Sequence, residues 1–178
     1  MNYQYTNIAS PFSDSFYLLW TTIKDKPKII RLYLNKKAFL SDIQKKDKNL
    51  KQNSCDEIEQ IIKTIKIFLQ GEDVSFDKNL LFWNKVTDFQ KKVLLYTKTI
   101  SLGQIKTYSE IAVSINNPNA IRAVGNALAT NPFPLFIPCH RVIKKDLSLG
   151  KYQGGILLKK RLLRLERIKF DKKDKIKL

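Results

Sequence analysis

Residues 107–129 read Thr107-Tyr-Ser-Glu-Ile-Ala-Val-Ser-Ile-Asn-Asn-Pro-Asn-Ala-Ile-Arg-Ala-Val-Gly-Asn-Ala-Leu-Ala129, and the architecture of the chain is read outward from them. Thr107-Tyr108-Ser109-Glu110 has the form of a capping box, in which a hydroxyl takes the amide of Glu110 and the carboxylate reaches back. The spacing predicts a short helix through Ile111, Ala112 and Ile115. Asn116-Asn117-Pro118-Asn119 predicts a turn, and a second helix is expected from Ala120 to about Ala129. Two short helices joined by a tight turn form a helix-turn-helix; an ordinary helical hairpin is the competing reading. At about 100° per residue, Ile121, Val124 and Leu128 share an arc expected to pack inward, while Arg122, Asn126 and Ala129 lie on another. Ala123 and Gly125 add no bulk, so this helix can approach a partner closely.

Charge favours the first of those readings. The 178 residues hold 33 Lys+Arg against 16 Asp+Glu, a formal net charge of +17. Residues 1–84 carry 13 basic and 10 acidic side chains, and residues 85–178 carry 20 and 6. An excess confined to the half with the helix pair points to a polyanion, of which a nucleic-acid backbone is the commonest. A Lys-rich solvated surface is the plainer explanation of the charge alone. Upstream, Phe89, Val93, Tyr96 and Ile100 fall on one face of a helix expected to run to Gly103.

The first half reads differently. Phe16–Ile23 and Ile29–Leu34 are β-prone runs separated by Lys24-Asp25-Lys26-Pro27, which predicts a hairpin with proline in its turn. Residues 42–53 are polar and expected to form a loop. Cys55–Gln70 repeats Ile58, Ile61, Ile62, Ile65 and Leu69 at helical spacing and stops at Gly71. Residues 71–79 resemble a linker. The expected organisation is therefore a small α/β domain over 1–84 and a second domain over 85–178.

Composition excludes several classes. Two cysteines and one histidine cannot supply four Cys/His ligands to a structural zinc. Cys55 and Cys139 do not form the dense disulfide framework of a small secreted protein, so a reducing compartment is expected. The longest early apolar run, Phe16–Trp20, is too short to span a bilayer, and the start lacks a signal-peptide pattern. No membrane partner is expected. Cys55 has no histidine nearby in sequence and is expected to pack or sit idle.

The chemistry concentrates at Asn131-Pro-Phe-Pro-Leu-Phe-Ile-Pro-Cys-His-Arg-Val142. An apolar run delivers a proline, and the only histidine follows a cysteine directly. A thiol attacks as its thiolate, and a proton-accepting neighbour raises that fraction. If this segment is extended, adjacent side chains point to opposite faces, so a relay through water with a carboxylate behind the imidazole is expected. Arg141 adds positive potential. Buried cysteines are often inert, so the pair alone is a weak signal.

Pro138-Cys139-His140-Arg141-Val142, preceded by Asn131-Pro132, resembles the active-site signature of the O6-alkylguanine-DNA alkyltransferases, also called methylated-DNA–protein-cysteine methyltransferases. Gly103-Gln-Ile-Lys-Thr-Tyr resembles the opening of the family's first helix, Arg122-Ala-Val-Gly-Asn-Ala its recognition helix, and Gly150-Lys-Tyr-Gln-Gly-Gly with Lys159 and Leu162–Glu166 its C-terminal closure. The resemblance implies a mixed α/β (α+β) protein. A small ribonuclease-H-like N-terminal domain would precede a winged helix-turn-helix C-terminal domain. It implies that Cys139 takes an alkyl group from guanine O6 once and irreversibly, with O4-alkylthymine as a second candidate lesion. His140 would accept the thiol proton through water, Glu166 would hold the imidazole, and Asn131 would be a hinge. Arg122 would fill the gap left by a flipped nucleotide, with Ala123, Gly125 and Arg141 at the DNA. Tyr108 would rotate a phosphate and donate to guanine N3. The carbonyls of Cys139 and Val142 would accept from the exocyclic amine, and Tyr152 and Gln153 would cover the base.

The implied partner is double-stranded DNA, bound by a monomer with no cofactor and no metal. The zinc ligands of some family members are missing here. The implied compartment is the cytoplasm of a bacterium or archaeon, or the nucleus of a eukaryote. The Lys-rich tail after Glu166 is expected to fray while attracting phosphates. Two other readings stand beside this one: a DNA-binding module without chemistry, and a cysteine hydrolase, for which no oxyanion-hole motif is evident.

Overall fold

A computed structural model describes residues 2–12, 14–43 and 50–177, and divides the chain into two compact units, residues 1–84 and 85–178. The first unit is built on β1 (Tyr3–Ile8), β2 (Phe16–Ile23) and β3 (Lys26–Tyr33), an antiparallel meander. The β2–β3 turn is tighter than the sequence suggests. Lys24 and Asp25 both take positive φ, 49° and 58°, the requirement of a two-residue hairpin turn that follows strand twist. Pro27 therefore lies in β3, opposite Thr22. It is tolerated because β3 is an edge strand, where a missing N–H breaks no ladder.

Residues 42–53 are not simply a loop. α1 (Lys36–Ile43) includes Asp42, and β4 (Lys51–Gln52) pairs in parallel with β1; residues 44–49 of that expected loop lie outside the described residues. The reason is aromatic packing. Phe39 of α1 stacks on Tyr17, with ring centroids 4.5 Å apart, and touches Tyr5 and Tyr33, while the Tyr33 hydroxyl donates to Asp42. α2 (Asp56–Phe68) buries Ile58, Ile61, Ile62, Ile65 and Phe68, the face its periodicity announces. The 71–79 segment is less free than a linker. Phe76 is buried, and the chain returns to β3, where Phe82 N–H donates to the Ile29 carbonyl at 2.8 Å. Sheet order β3-β2-β1-β4 with these helices is the mixed α/β class expected for this unit.

The second unit opens with α3 (Asp88–Lys98), whose Thr87 cap accepts from Gln90 N–H. The helix stops there rather than at Gly103, because Thr99 and Ile100 already bond back to Tyr96 and Thr97 in a tightened last turn. β5 (Lys106–Thr107) leads into α4 (Tyr108–Ser114), where both halves of the capping box form. After the Asn116–Asn119 turn comes α5 (Ile121–Ala129), packed on both α3 and α4. Val124 and Leu128 point inward, but Ile121 does not: it is 46% exposed, because it begins the helix and no preceding turn covers it. β6 (Val142–Ile143) pairs with β5 in parallel, and α6 (Gly155–Leu165) follows.

The tail does not fray over its described length. β7 (Lys169–Phe170) and β8 (Ile176–Lys177) form an antiparallel hairpin. Ile176 is buried with Ile143, Leu149 and Leu163, and its N–H donates to the Leu147 carbonyl at 3.1 Å. An apolar residue near the end of a lysine-rich run thus anchors it.

Candidate active site

Phe133, Leu135, Phe136 and Ile137 are all buried, so the run before Cys139 is a core segment that carries the cysteine into the interior. The chain then makes a 3-10 turn over Cys139–Arg141, not the extended segment assumed from the sequence. Cys139 N–H donates to the Ile137 carbonyl at 2.7 Å and Arg141 N–H to that of Pro138 at 2.9 Å. In such a turn successive side chains are spread by about 120°, so Cys139, His140 and Arg141 aim in three directions.

Cys139 aims at a cavity of about 670 Å³, whose lining includes Tyr108, Arg122, Gly125, Tyr152 and Gln153. Asn131, fully buried, orders this wall. Its Oδ1 accepts from Phe133 N–H at 2.9 Å, and its Nδ2 reaches the Ile137 carbonyl at 3.3 Å and Cys139 Sγ at 3.2 Å. Gln153 Nε2 donates to the Asn131 carbonyl at 2.7 Å, tying the opposite rim to the same residue. Burial pushes the Cys139 thiol above its ordinary range, against the Asn131 hydrogen bond and the Lys159 charge. The resting sulfur is a protonated thiol that needs a base.

His140 is fully buried behind the cavity wall, next to the cavity-lining Tyr152. Its Nε2 lies 2.7 Å from Glu166 Oε1, at the C-terminal cap of α6. Burial holds the imidazole below its ordinary pKa, although Glu166 opposes this. A neutral ring that donates from Nε2 keeps its lone pair on Nδ1, which makes His140 a proton acceptor. Burial pushes the Glu166 carboxyl up, but its bonds with His140 and Arg141 outweigh that and keep it ionised.

Arg141 has a different position from the one the sequence suggested. It is buried, with Nε 2.9 Å from Glu166 Oε2, Nη2 3.0 Å from Oε1, and Nη1 on the Ile100 carbonyl. Its guanidinium is committed to the core, so it is not placed to meet a phosphate. Ala123 is exposed on α5, outside the cavity lining.

Lys159, which the sequence marks only as part of a motif, is central to the site. It is fully buried, and its Nζ donates to the Val142 and Leu149 carbonyls. Burial brings its pKa down to about 8, a shift that a thiolate at Cys139 opposes. The Val142 carbonyl, expected to serve a guanine amine, already accepts one bond and keeps a second lone pair. A signal did exist: Lys159 shares the apolar stripe of α6 with Leu162 and Leu163.

Tyr108 and Tyr152 complete the cavity. Gly150 sits at φ +68°, and a Cβ there would lie 2.9 Å from the Tyr108 hydroxyl, so the phenol occupies space that only glycine leaves. Burial raises the Tyr108 pKa, a thiolate at Cys139 raises it further, and the phenol stays protonated as a donor. Tyr152 stands edge-on to His140 at 6.5 Å, and among the described residues its buried hydroxyl has no hydrogen-bond partner. Among the described residues no cluster of His, Cys, Asp or Glu could hold a metal ion, and no helix is long and apolar enough to cross a membrane.

Fold and site together define a helix-turn-helix protein whose cavity-facing cysteine is backed by a buried histidine–carboxylate pair. The family model described as 6-O-methylguanine DNA methyltransferase, DNA binding domain, matches residues 88–168. The constitutive methylated-DNA–protein-cysteine methyltransferase of Bacillus subtilis (strain 168) is 31% identical over 174 residues, 97% of this chain and 100% of that protein. The methylated-DNA–protein-cysteine methyltransferase of Methanothermobacter thermautotrophicus is 42% identical over 114 residues, 64% of this chain, which thus spans 64% of that relative's length. The crystal structure of Mycobacterium tuberculosis OGT in complex with DNA aligns with a TM-score of 0.74 at 30% identity, over 92% of each chain. The chain belongs to the methylated-DNA–protein-cysteine methyltransferase family.

Proposed function

We propose that this protein repairs double-stranded DNA by moving the alkyl group of O6-alkylguanine onto its own Cys139, once per molecule. The observation that carries the reading is the cavity-facing sulfur, held 3.2 Å from Asn131 Nδ2 beside a His140–Glu166 pair at 2.7 Å. The S–C bond forms as the C–O bond breaks. The thiol proton passes through water to His140, whose imidazolium Glu166 stabilises. Electrons left on O6 spread into the purine, whose anion the Tyr108 phenol stabilises by donating a hydrogen bond to N3, and the guanine takes its proton from water on release. The product thioether has no carbonyl carbon for water to attack, so the protein is consumed.

Because O6 is inaccessible within a duplex, the nucleotide must leave the stack. Arg122, exposed at the cavity mouth, is assigned to the vacated place, and Ala123 and Gly125 let α5 lie close to DNA. Tyr152 and Gln153 close over the base, and the Cys139 and Val142 carbonyls read its amine. Residues 1–84 serve as a small α/β domain and residues 85–178 as the alkyltransferase domain, acting as a monomer without cofactor. Its place of work is the compartment of the genome, the cytoplasm of a bacterium or archaeon and the nucleus of a eukaryote.

The test is intact and peptide mass analysis after exposure to O6-benzylguanine. One benzyl group on Cys139 and a burst of one equivalent are expected. An unmodified peptide leaves only a DNA-binding module, and repeated turnover indicates a hydrolase.

A further inference from the structure

Among the described residues, five large apolar side chains are exposed: Leu40, Val113, Ile121, Ile156 and Leu157. Single exposed apolar groups are common and usually mean nothing. Ile121 differs in its place, because it alone of the five lines the cavity that holds Cys139. Its arc partners Val124 and Leu128 are buried, while Ile121 stands 46% exposed at the first position of α5. One turn further along α5, Gly125 has no side chain to cover it. The next residue is Arg122, exposed on the same rim.

The company it keeps says what comes to this rim. Arg122, Lys144 and Lys151 border the same cavity, so the arriving surface is anionic, yet Ile121 offers it a rigid apolar face. A surface with charged edges and apolar faces describes nucleic acid opened at one step, where phosphates flank exposed base planes. A β-branched side chain has few rotamers, so little freedom is lost when it inserts.

We propose that Ile121 is an apolar wedge that enters the base stack beside the extruded nucleotide, a partner to Arg122 and a determinant of duplex recognition. This rests on the alkyl-transfer reading for the identity of the DNA, but it predicts a distortion separate from the chemistry. Arg122 supplies charge and hydrogen bonds to the gap, whereas Ile121 covers the base face that unstacking exposes.

The experiment uses the full chain and a duplex carrying O6-methylguanine beside 2-aminopurine, whose fluorescence rises on unstacking. At saturating protein, Ile121→Ala is expected to lose more than half of the brightening, and Ile121→Leu to keep it. The ratio of repair rates on duplex and single-stranded lesions should fall about five- to tenfold in the alanine variant, the effect of losing roughly half an isoleucine's burial. Brightening and rate ratio both unchanged in Ile121→Ala overturn the wedge, whatever the Cys139 adduct shows. A missing benzyl adduct on Cys139 overturns alkyl transfer, whatever the brightening shows.

Discussion

Glu166 carries more than one duty. It accepts from the His140 ring and from two guanidinium nitrogens of Arg141, and the backbone N–H of Gly103 lies 3.4 Å from it. The same carboxylate therefore orients the base and compensates a buried cation. Glu166→Gln should cost about 3 kcal/mol at pH 7, because Arg141 keeps its charge without a counter-charge. Alkyl transfer should slow as well, since a neutral amide stabilises an imidazolium poorly. The folded pKa of Glu166 lies below the ordinary carboxylate value, so its stabilisation is complete above that value and is lost as pH falls through the lower folded one. The gap in urea midpoint between the two proteins should thus narrow on acidification. A gap independent of pH, or an unchanged transfer rate, would remove the pair from this account.

Short elements hold the site, and the hairpin of β7 and β8 packs against them at the end of the second unit. It covers Ile143, Leu149 and Leu163, next to the Val142 and Leu149 carbonyls that Lys159 braces. Removing residues 169–178 should lower the stability of the second unit by about 2–4 kcal/mol, mostly through Ile176 and the apolar groups it leaves bare. Chemical denaturation measures this directly. A truncated chain with the parental midpoint would show that the hairpin is ornamental. Within the hairpin, Asp171 accepts from Lys173 and Lys175 N–H groups and Asp174 pairs with Lys160, so its acidic residues are occupied while several lysines face solvent.

For the molecule as a unit, charge governs encounter with DNA. The surplus of 14 positive charges in residues 85–178 sits in the half that bears the cavity, and residues 1–84 contribute only 3. Raising salt from about 50 to 200 mM should weaken duplex binding by at least an order of magnitude, through release of condensed counterions. Fluorescence anisotropy at several salt concentrations gives the slope. A flat response would mean that the lysines are merely solvated.

Much of this protein could be read along the chain. The Thr107–Glu110 capping box, the α2 stripe and the Cys139-His140 pair are written within a few positions, because local hydrogen bonds and periodicity involve near neighbours. Other features depended on distant segments meeting. Arg141 and Glu166 are 25 residues apart, and nothing near Arg141 marks it as a core cation and not a phosphate contact. Residues 36–43 became helical where Phe39 met Tyr5, Tyr17 and Tyr33 across the sheet. Ile121 followed the inward arc by spacing but stayed exposed because the helix begins there. Neighbouring residues can specify which side chains share a face, but desolvation and pairing act only once the folded chain has set what lies against that face.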